Sequence, residues 1–195
     1  MRSIDRCKFC KSSSRVLLGT DTHEDKYLKL IDSDLNKETR NWYRCNDCNF
    51  IYRSPVITEK EADILYAKYR STDFRKITSQ DYFDKLTSIP DDESEVYSKA
   101  VYIKENIKDI GSILDVGCGG GILLWQLRRV FPLSRLQGLE PNKDYARMVR
   151  DRMKIDVVEE FYTENNIDSS FDLTVSTDVI EHIHDINIFW KAANN

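Results

Sequence analysis

The sequence predicts an α/β chain: a partial parallel sheet of about four strands, preceded by a small cysteine-bearing module and a helical linker. Three observations carry this reading. Short apolar runs alternate with helical patterns from Ser112 onward, a glycine-rich turn joins the first run to the first helix, and two Cys-x-x-Cys pairs are confined to residues 1–55. Strand–helix alternation implies parallel strands covered by helices. The chain accordingly divides into residues 1–55, residues 56–110 and residues 111–195.

The elements follow in order. Ser54-Pro55 closes the first zone, because proline breaks a continuing element. In the second zone a helix opens near Thr58, with Glu61 at capping-box spacing and Ile64, Leu65 and Tyr69 on one face. Another starts near Asp91-Asp92 and carries Val96, Ala100, Ile103 and Ile107 at spacings of three and four. In the third zone Ile113–Val116 is a strand, and Gly117–Gly121 a turn leading to the helix Ile122–Phe131, which Pro132 stops. Leu136–Leu139 is the second strand, Asn142 to about Arg152 a helix, Ile155–Val158 the third strand and Phe171–Ser176 the fourth. A last helix opens near Asp185.

Composition removes several classes of function. A net charge of −4 over 195 residues offers no basic surplus for a nucleic-acid partner. The start Met1-Arg2-Ser3-Ile4-Asp5-Arg6 is polar and leads into no apolar run of signal-peptide length. No stretch approaches the roughly 20 apolar residues of a membrane span. A cytoplasmic protein without membrane or nucleic-acid partners is expected.

Four of the five cysteines form the pairs Cys7/Cys10 and Cys45/Cys48; Cys118 stands alone in the glycine turn. Paired double spacing points to a metal in a reducing compartment, and two loops presenting two thiolates each suit tetrahedral zinc. Four protein ligands leave no open position, so such a zinc is structural. Each knuckle asks for a left-handed residue after its second cysteine, which Asn49 suits and Lys11 suits poorly. Arg6, Lys8, Lys11 and Arg44 would offset the surplus negative charge. Unrelated free cysteines are the bland alternative. A thioredoxin-like redox pair is a weaker reading, since the sequence shows no thioredoxin-like strand ahead of either pair.

The glycine turn sits where a ligand approaches a helix N-terminus. A dinucleotide fingerprint would place its third glycine where Ile122 stands, and a phosphate cradle would need a Lys-Ser/Thr that is missing. The glycines instead fall at 117, 119 and 121, two residues after Asp115. That acid would repel a pyrophosphate and favour a cation such as an amino group or a sulfonium.

The run Ile113-Leu114-Asp115-Val116-Gly117-Cys118-Gly119-Gly120-Gly121 resembles the first motif of class I S-adenosylmethionine-dependent methyltransferases. Glu140 follows in Gly138-Leu139-Glu140-Pro141-Asn142, where that family places the acid that binds the ribose hydroxyls. The resemblance implies a Rossmann-like sheet and a cofactor site built from Asp115, Gly117, Cys118, Gly119, Gly121, Glu140 and Pro141. It further implies that Glu160 accepts the adenine amine and Phe161 stacks on the ring, with Thr177 and Asp178 adding contacts. Cys118 needs no redox role.

After the fourth strand, Ser176-Thr177-Asp178-Val179-Ile180-Glu181-His182-Ile183 looks like the family's Glu-His motif. Glu181 and His182 are therefore the catalytic candidates. His182 is a general base, or Asp178, Glu181 and His182 share one helical face and bind a metal, or His182 and Glu181 shape the pocket and position cofactor. His23 and His184 are assigned nothing.

The cysteine module joined to this domain is similar to zinc-ribbon methyltransferases, a group that includes deoxysugar C-methyltransferases. Trp42 to Tyr52, Pro55, Glu61, Leu65 and Tyr66 carry that likeness, and it makes Tyr66, Tyr69 and Tyr82 candidates for acceptor contacts. The family's sheet has seven strands, of which four are visible before Asn195. A small-molecule acceptor is expected, a nucleotide sugar or glycan precursor among the candidates. The alternative is a non-catalytic cofactor-binding or protein-interaction module; a nicotinamide oxidoreductase fits Asp115 and Ile122 poorly. With the fourth strand at an edge and apolar surface bare near Val175 and Ile180, self-association through that edge, or poor order after about Ser170, is expected.

Overall fold

A computed structural model describes residues 2–22, 25, 27–31, 38–69, 76–162, 170–183 and 186–193. The chain forms two compact units, one of residues 1–75 with 184–187, the other of residues 76–183 with 188–195. The helical stretch between module and sheet is divided between them.

The first unit holds three antiparallel strands in sequential order, β1 (Arg15–Asp21), β2 (Arg40–Cys45) and β3 (Ile51–Ser54). Sequence reading placed none of these three strands; in β1, Val16, Leu17 and Leu18 are all exposed and so show no inside–outside alternation. Ile4, Cys7, Cys45 and Tyr52 form the small core. The helix α1 (Glu59–Tyr69) starts as its capping box requires. Thr58 N–H donates to Glu61 Oε2 at 2.8 Å, and Glu61 N–H donates back to Thr58 Oγ1 at 3.2 Å. Ile64, expected on the inner face, is exposed; the side chain of Tyr69 lies outside the described residues.

The second unit is a helix-covered sheet. Its strands β4 (Ser112–Val116), β5 (Arg135–Leu139), β6 (Asp156–Val158) and β7 (Leu173–Val175) are all parallel and ordered β6-β5-β4-β7. The central β4 is buried on both sides, as a covered parallel strand must be. On one face Ile113 meets the main core. That core comes from α3 (Glu95–Asn106), α4 (Ile122–Val130) and α5 (Lys143–Met153). On the other, Leu114 and Val116 meet Phe189 of α6 (Ile186–Ala193). Asp185, where this last helix was expected to open, lies outside the described residues.

A further helix, α2 (Ser79–Thr87), was not foreseen. Thr78 caps it by accepting from the Asp81 N–H, and Phe83 anchors it in the main core with its ring edge-on to Trp125 at 5.8 Å. Asp91–Glu93 forms one 3-10 turn, after which Ser94 caps α3. The apolar surface foreseen at Val175 and Ile180 lies elsewhere. Both are half-buried against the cores, and Ile188 and Trp190 of α6 are exposed instead.

Candidate functional site

In the first unit the four sulfurs of Cys7, Cys10, Cys45 and Cys48 all lie within 4.8 Å of one another. Cys7 and Cys48 are 3.6 Å apart, and Cys10 and Cys45 3.4 Å. Zinc–sulfur bonds of about 2.3 Å would set tetrahedral sulfur–sulfur edges of about 3.8 Å, so the set fits that ion. The two loops are built alike. Lys11 N–H donates to Cys7 O and Asn49 N–H to Cys45 O, each at 3.0 Å. Both residues are left-handed, Lys11 at φ 64° and Asn49 at φ 60°. Lys11 thus takes the conformation its side chain was expected to resist.

In the second unit the chain leaves β4 through a turn whose Gly117, Gly119 and Gly121 have φ of 75°, 52° and 76°. L-residues avoid this region, which explains the alternate glycines. At Gly117 space is also decisive, because a Cβ there would lie 2.4 Å from Val179 Cγ2. Gly117 and Cys118 N–H groups both donate to Leu139 O, tying the turn to the end of β5. Cys118 is buried, and its sulfur fills the space over Gly138.

Glu140, 3% exposed, stands one residue past β5. Its Oε2 accepts from Gly119 N–H and its Oε1 from Asn142 N–H, both at 2.9 Å. Asp115, 2% exposed, ends in an Oδ2 with no hydrogen-bond partner among the described residues. Its carboxyl is pushed up to about 7, first by burial and then by the charge of Glu140. The strand ends, the turn and both acids therefore converge. The arrangement can hold a ligand that presents a cation to Asp115 and hydroxyls to Glu140, whose oxygens retain unused lone pairs.

The other expected residues are more dispersed. Pro141 is half-buried beside Glu140, while Glu160 and Phe161 follow β6 and are exposed, Phe161 to 59%. Thr177 is half-buried. Asp178, Glu181 and His182 do not share a helical face. Asp178 is left-handed at φ 57°, and only Ile180–His182 form a 3-10 turn. The Asp178 carboxylate instead pairs with Lys99 of α3 at 3.6 Å, and Lys99 also pairs with Glu95 at 2.9 Å. His182 Nε2 is 4.0 Å from Glu181 Oε1, with both side chains more than half exposed. Among the described residues the four cysteines are the only such cluster placed to hold a metal. Sequence reasoning missed Lys99 and Val179, since no local pattern links them to Asp178 and Gly117. Of the acceptor candidates, Tyr66 is half-buried and Tyr82 packs against the main core.

A parallel sheet in this order, left-handed glycines after its central strand and a buried glutamate at the tip of the next make up the site. Residues 114–195 match the family model described as a methyltransferase domain. The chain is 26% identical over 140 residues to (S)-tetrahydroprotoberberine N-methyltransferase of Eschscholzia californica, covering 68% of this chain and 40% of that protein. It is 33% identical over 92 residues to ubiquinone biosynthesis O-methyltransferase of Rickettsia prowazekii (strain Madrid E), covering 45% and 36%. The chain thus spans 40% or less of the length of these relatives. Among solved structures it is similar to the plantazolicin methyltransferase BpumL in complex with a desmethylPZN analog and SAH. The TM-score is 0.48 at 21% identity, over 69% of this chain and 55% of that one. Among the described residues no helix is long and apolar enough to cross a membrane.

Proposed function

We propose that this chain binds S-adenosylmethionine and serves in methyl transfer to a small-molecule acceptor, with nucleotide sugars and other glycan precursors as the first class to try. The observation that supports it most is the buried Glu140 carboxylate fastened to the Gly119 N–H, with an Asp115 oxygen left without a partner among the described residues. In this reading the turn at Gly117, Cys118, Gly119 and Gly121 receives the amino-acid end of the cofactor, whose ammonium faces Asp115. Glu140 and Pro141 take the ribose, Glu160 and Phe161 the adenine, and Thr177 and Asp178 close the pocket.

When bound, the cofactor supplies an already activated methyl carbon for in-line displacement, so the protein's task is chiefly positioning. Glu181 and His182 follow the carboxyl end of β7, and in this reading His182 takes the acceptor proton at a ring nitrogen, with Glu181 next to it. Cys7, Cys10, Cys45 and Cys48 hold a structural zinc that stiffens the N-terminal module. The glycan class rests on the likeness of the cysteine module to zinc-ribbon sugar C-methyltransferases. Incubation with methyl-labelled cofactor and a panel of nucleotide sugars, phenols and amines tests it. Label in a sugar supports the reading, and label only in a phenol or an amine moves the acceptor class.

A further inference from the structure

The two acids at the glycine turn are served unequally. Both oxygens of Glu140 accept backbone N–H groups, whereas Asp115 Oδ2 accepts none among the described residues. Both carboxyls are almost wholly buried, and the charge of Glu140 opposes the ionisation of Asp115.

Among the described residues no cation acts on Asp115. From β5 comes Glu140, the charged group that acts on it. Its register neighbours are Gly138 on β5 and Val175 on β7, both uncharged. The turn brings the Cys118 thiol, and α4 opens with the apolar Ile122, Leu123 and Leu124. Past β7, Asp178, Glu181 and His182 are exposed, and Asp178 is engaged by Lys99 of α3.

We infer that cofactor binding is coupled to loss of a proton from Asp115: the empty protein keeps this residue as a neutral acid, and the ligand's ammonium takes the proton's place. The inference rests on the S-adenosylmethionine reading of the turn. On binding, the carboxylic O–H bond breaks, its electron pair stays on Asp115, and the proton passes to solvent. The ammonium then neutralises the carboxylate, and the buried charge count is balanced. The carboxyl of the empty site, raised to about 7, puts this exchange in the physiological range. Below that pH the ligand must displace a proton, so affinity falls with acidification. An α-amino group stays largely protonated until about pH 8, so its own titration does not cause that fall.

Calorimetric titration of the whole chain with S-adenosylhomocysteine at pH 6 and pH 7.5, in buffers of different ionisation heat, tests the coupling. We expect affinity to be roughly five- to tenfold weaker at pH 6, with close to one proton released per ligand there and few at pH 7.5. Asp115→Asn is expected to flatten that dependence. If this variant does not fold, the proton count of the unaltered chain decides alone. Equal affinity at both pH values with no proton exchanged would overturn the coupling while leaving the cofactor site in place. No binding at either pH would overturn the cofactor reading and the coupling with it.

Discussion

Glu140 Oε2 accepts the Gly119 N–H at 2.9 Å, so the acid at the tip of β5 holds the middle of the glycine turn that follows β4. The same carboxylate accepts Asn142 N–H at the start of α5. Three segments meet on one side chain, and the turn is braced before any ligand arrives. Preorganisation of this kind lowers the ordering cost of binding.

Glu140→Ala is expected to weaken S-adenosylmethionine binding by about 1.5–3 kcal/mol, the scale of hydrogen bonds to a charged group. Because Gly119 N–H and Asn142 N–H also lose their acceptor, stability will fall too. Glu140→Gln keeps one carbonyl acceptor and should recover part of the stability but less of the affinity. Isothermal titration with urea unfolding of both variants separates the two effects, and parental binding by both would place the ribose elsewhere.

Asp115→Asn has a pH signature in the ligand-free protein. Unfolded, this acid titrates near 3.8; folded, it is raised to about 7, chiefly by burial. Between those values the folded state keeps a proton the unfolded state has lost, so stability falls as pH rises and levels off above about 7. Relative to Asp115→Asn, the parent protein should lose about 1.4 kcal/mol between pH 6 and pH 8, most of it below pH 7, where the folded acid still holds its proton. Urea midpoints at the two pH values measure it; a constant difference between the proteins would contradict the buried-acid picture.

What the sequence made legible were local signals. Alternate glycines two residues behind an acid, the paired cysteines and the Thr58–Glu61 box each fold as their spacing demands. The parallel sheet also followed, since apolar runs alternating with helices put parallel strands under a helical cover. The hidden features are non-local. Helix α2 has few apolar residues and depends on Phe83 reaching the core. The helical face expected for Asp178, Glu181 and His182 fails because Asp178 turns left-handed, next to Val179 packed on Gly117. Aspartate tolerates that conformation, and its pairing with Lys99 joins distant parts of the sequence.

Cys45→Ser is expected to cost the N-terminal module most of its folding free energy, because metal binding supplies it. Elemental analysis should find about one zinc per chain in the parent protein, and chelation should lower its melting temperature. Protein free of metal with an unchanged melt would make the four-cysteine cluster an incidental one.

His182→Ala should slow methyl transfer more than it weakens cofactor binding in a preparation that turns over. Activity that survives chelators would agree with the separation of Asp178 from Glu181 and His182. Loss on chelation with recovery by magnesium would revive a metal at those residues.

Strand β7 pairs only with β4 among the described residues, and α6 exposes Ile188 and Trp190. An unpaired strand edge and exposed apolar side chains each favour association. Sedimentation velocity should show concentration-dependent self-association, reduced by Trp190→Glu; a monomer at all concentrations would mean that this edge is already protected.

The most direct test of the cofactor assignment is calorimetry of the purified chain with S-adenosylmethionine, S-adenosylhomocysteine and NAD side by side. Saturable binding of the first two is expected, lost or sharply weakened in Glu140→Ala, and none of NAD. Binding of NAD in preference to both sulfur ligands would contradict it.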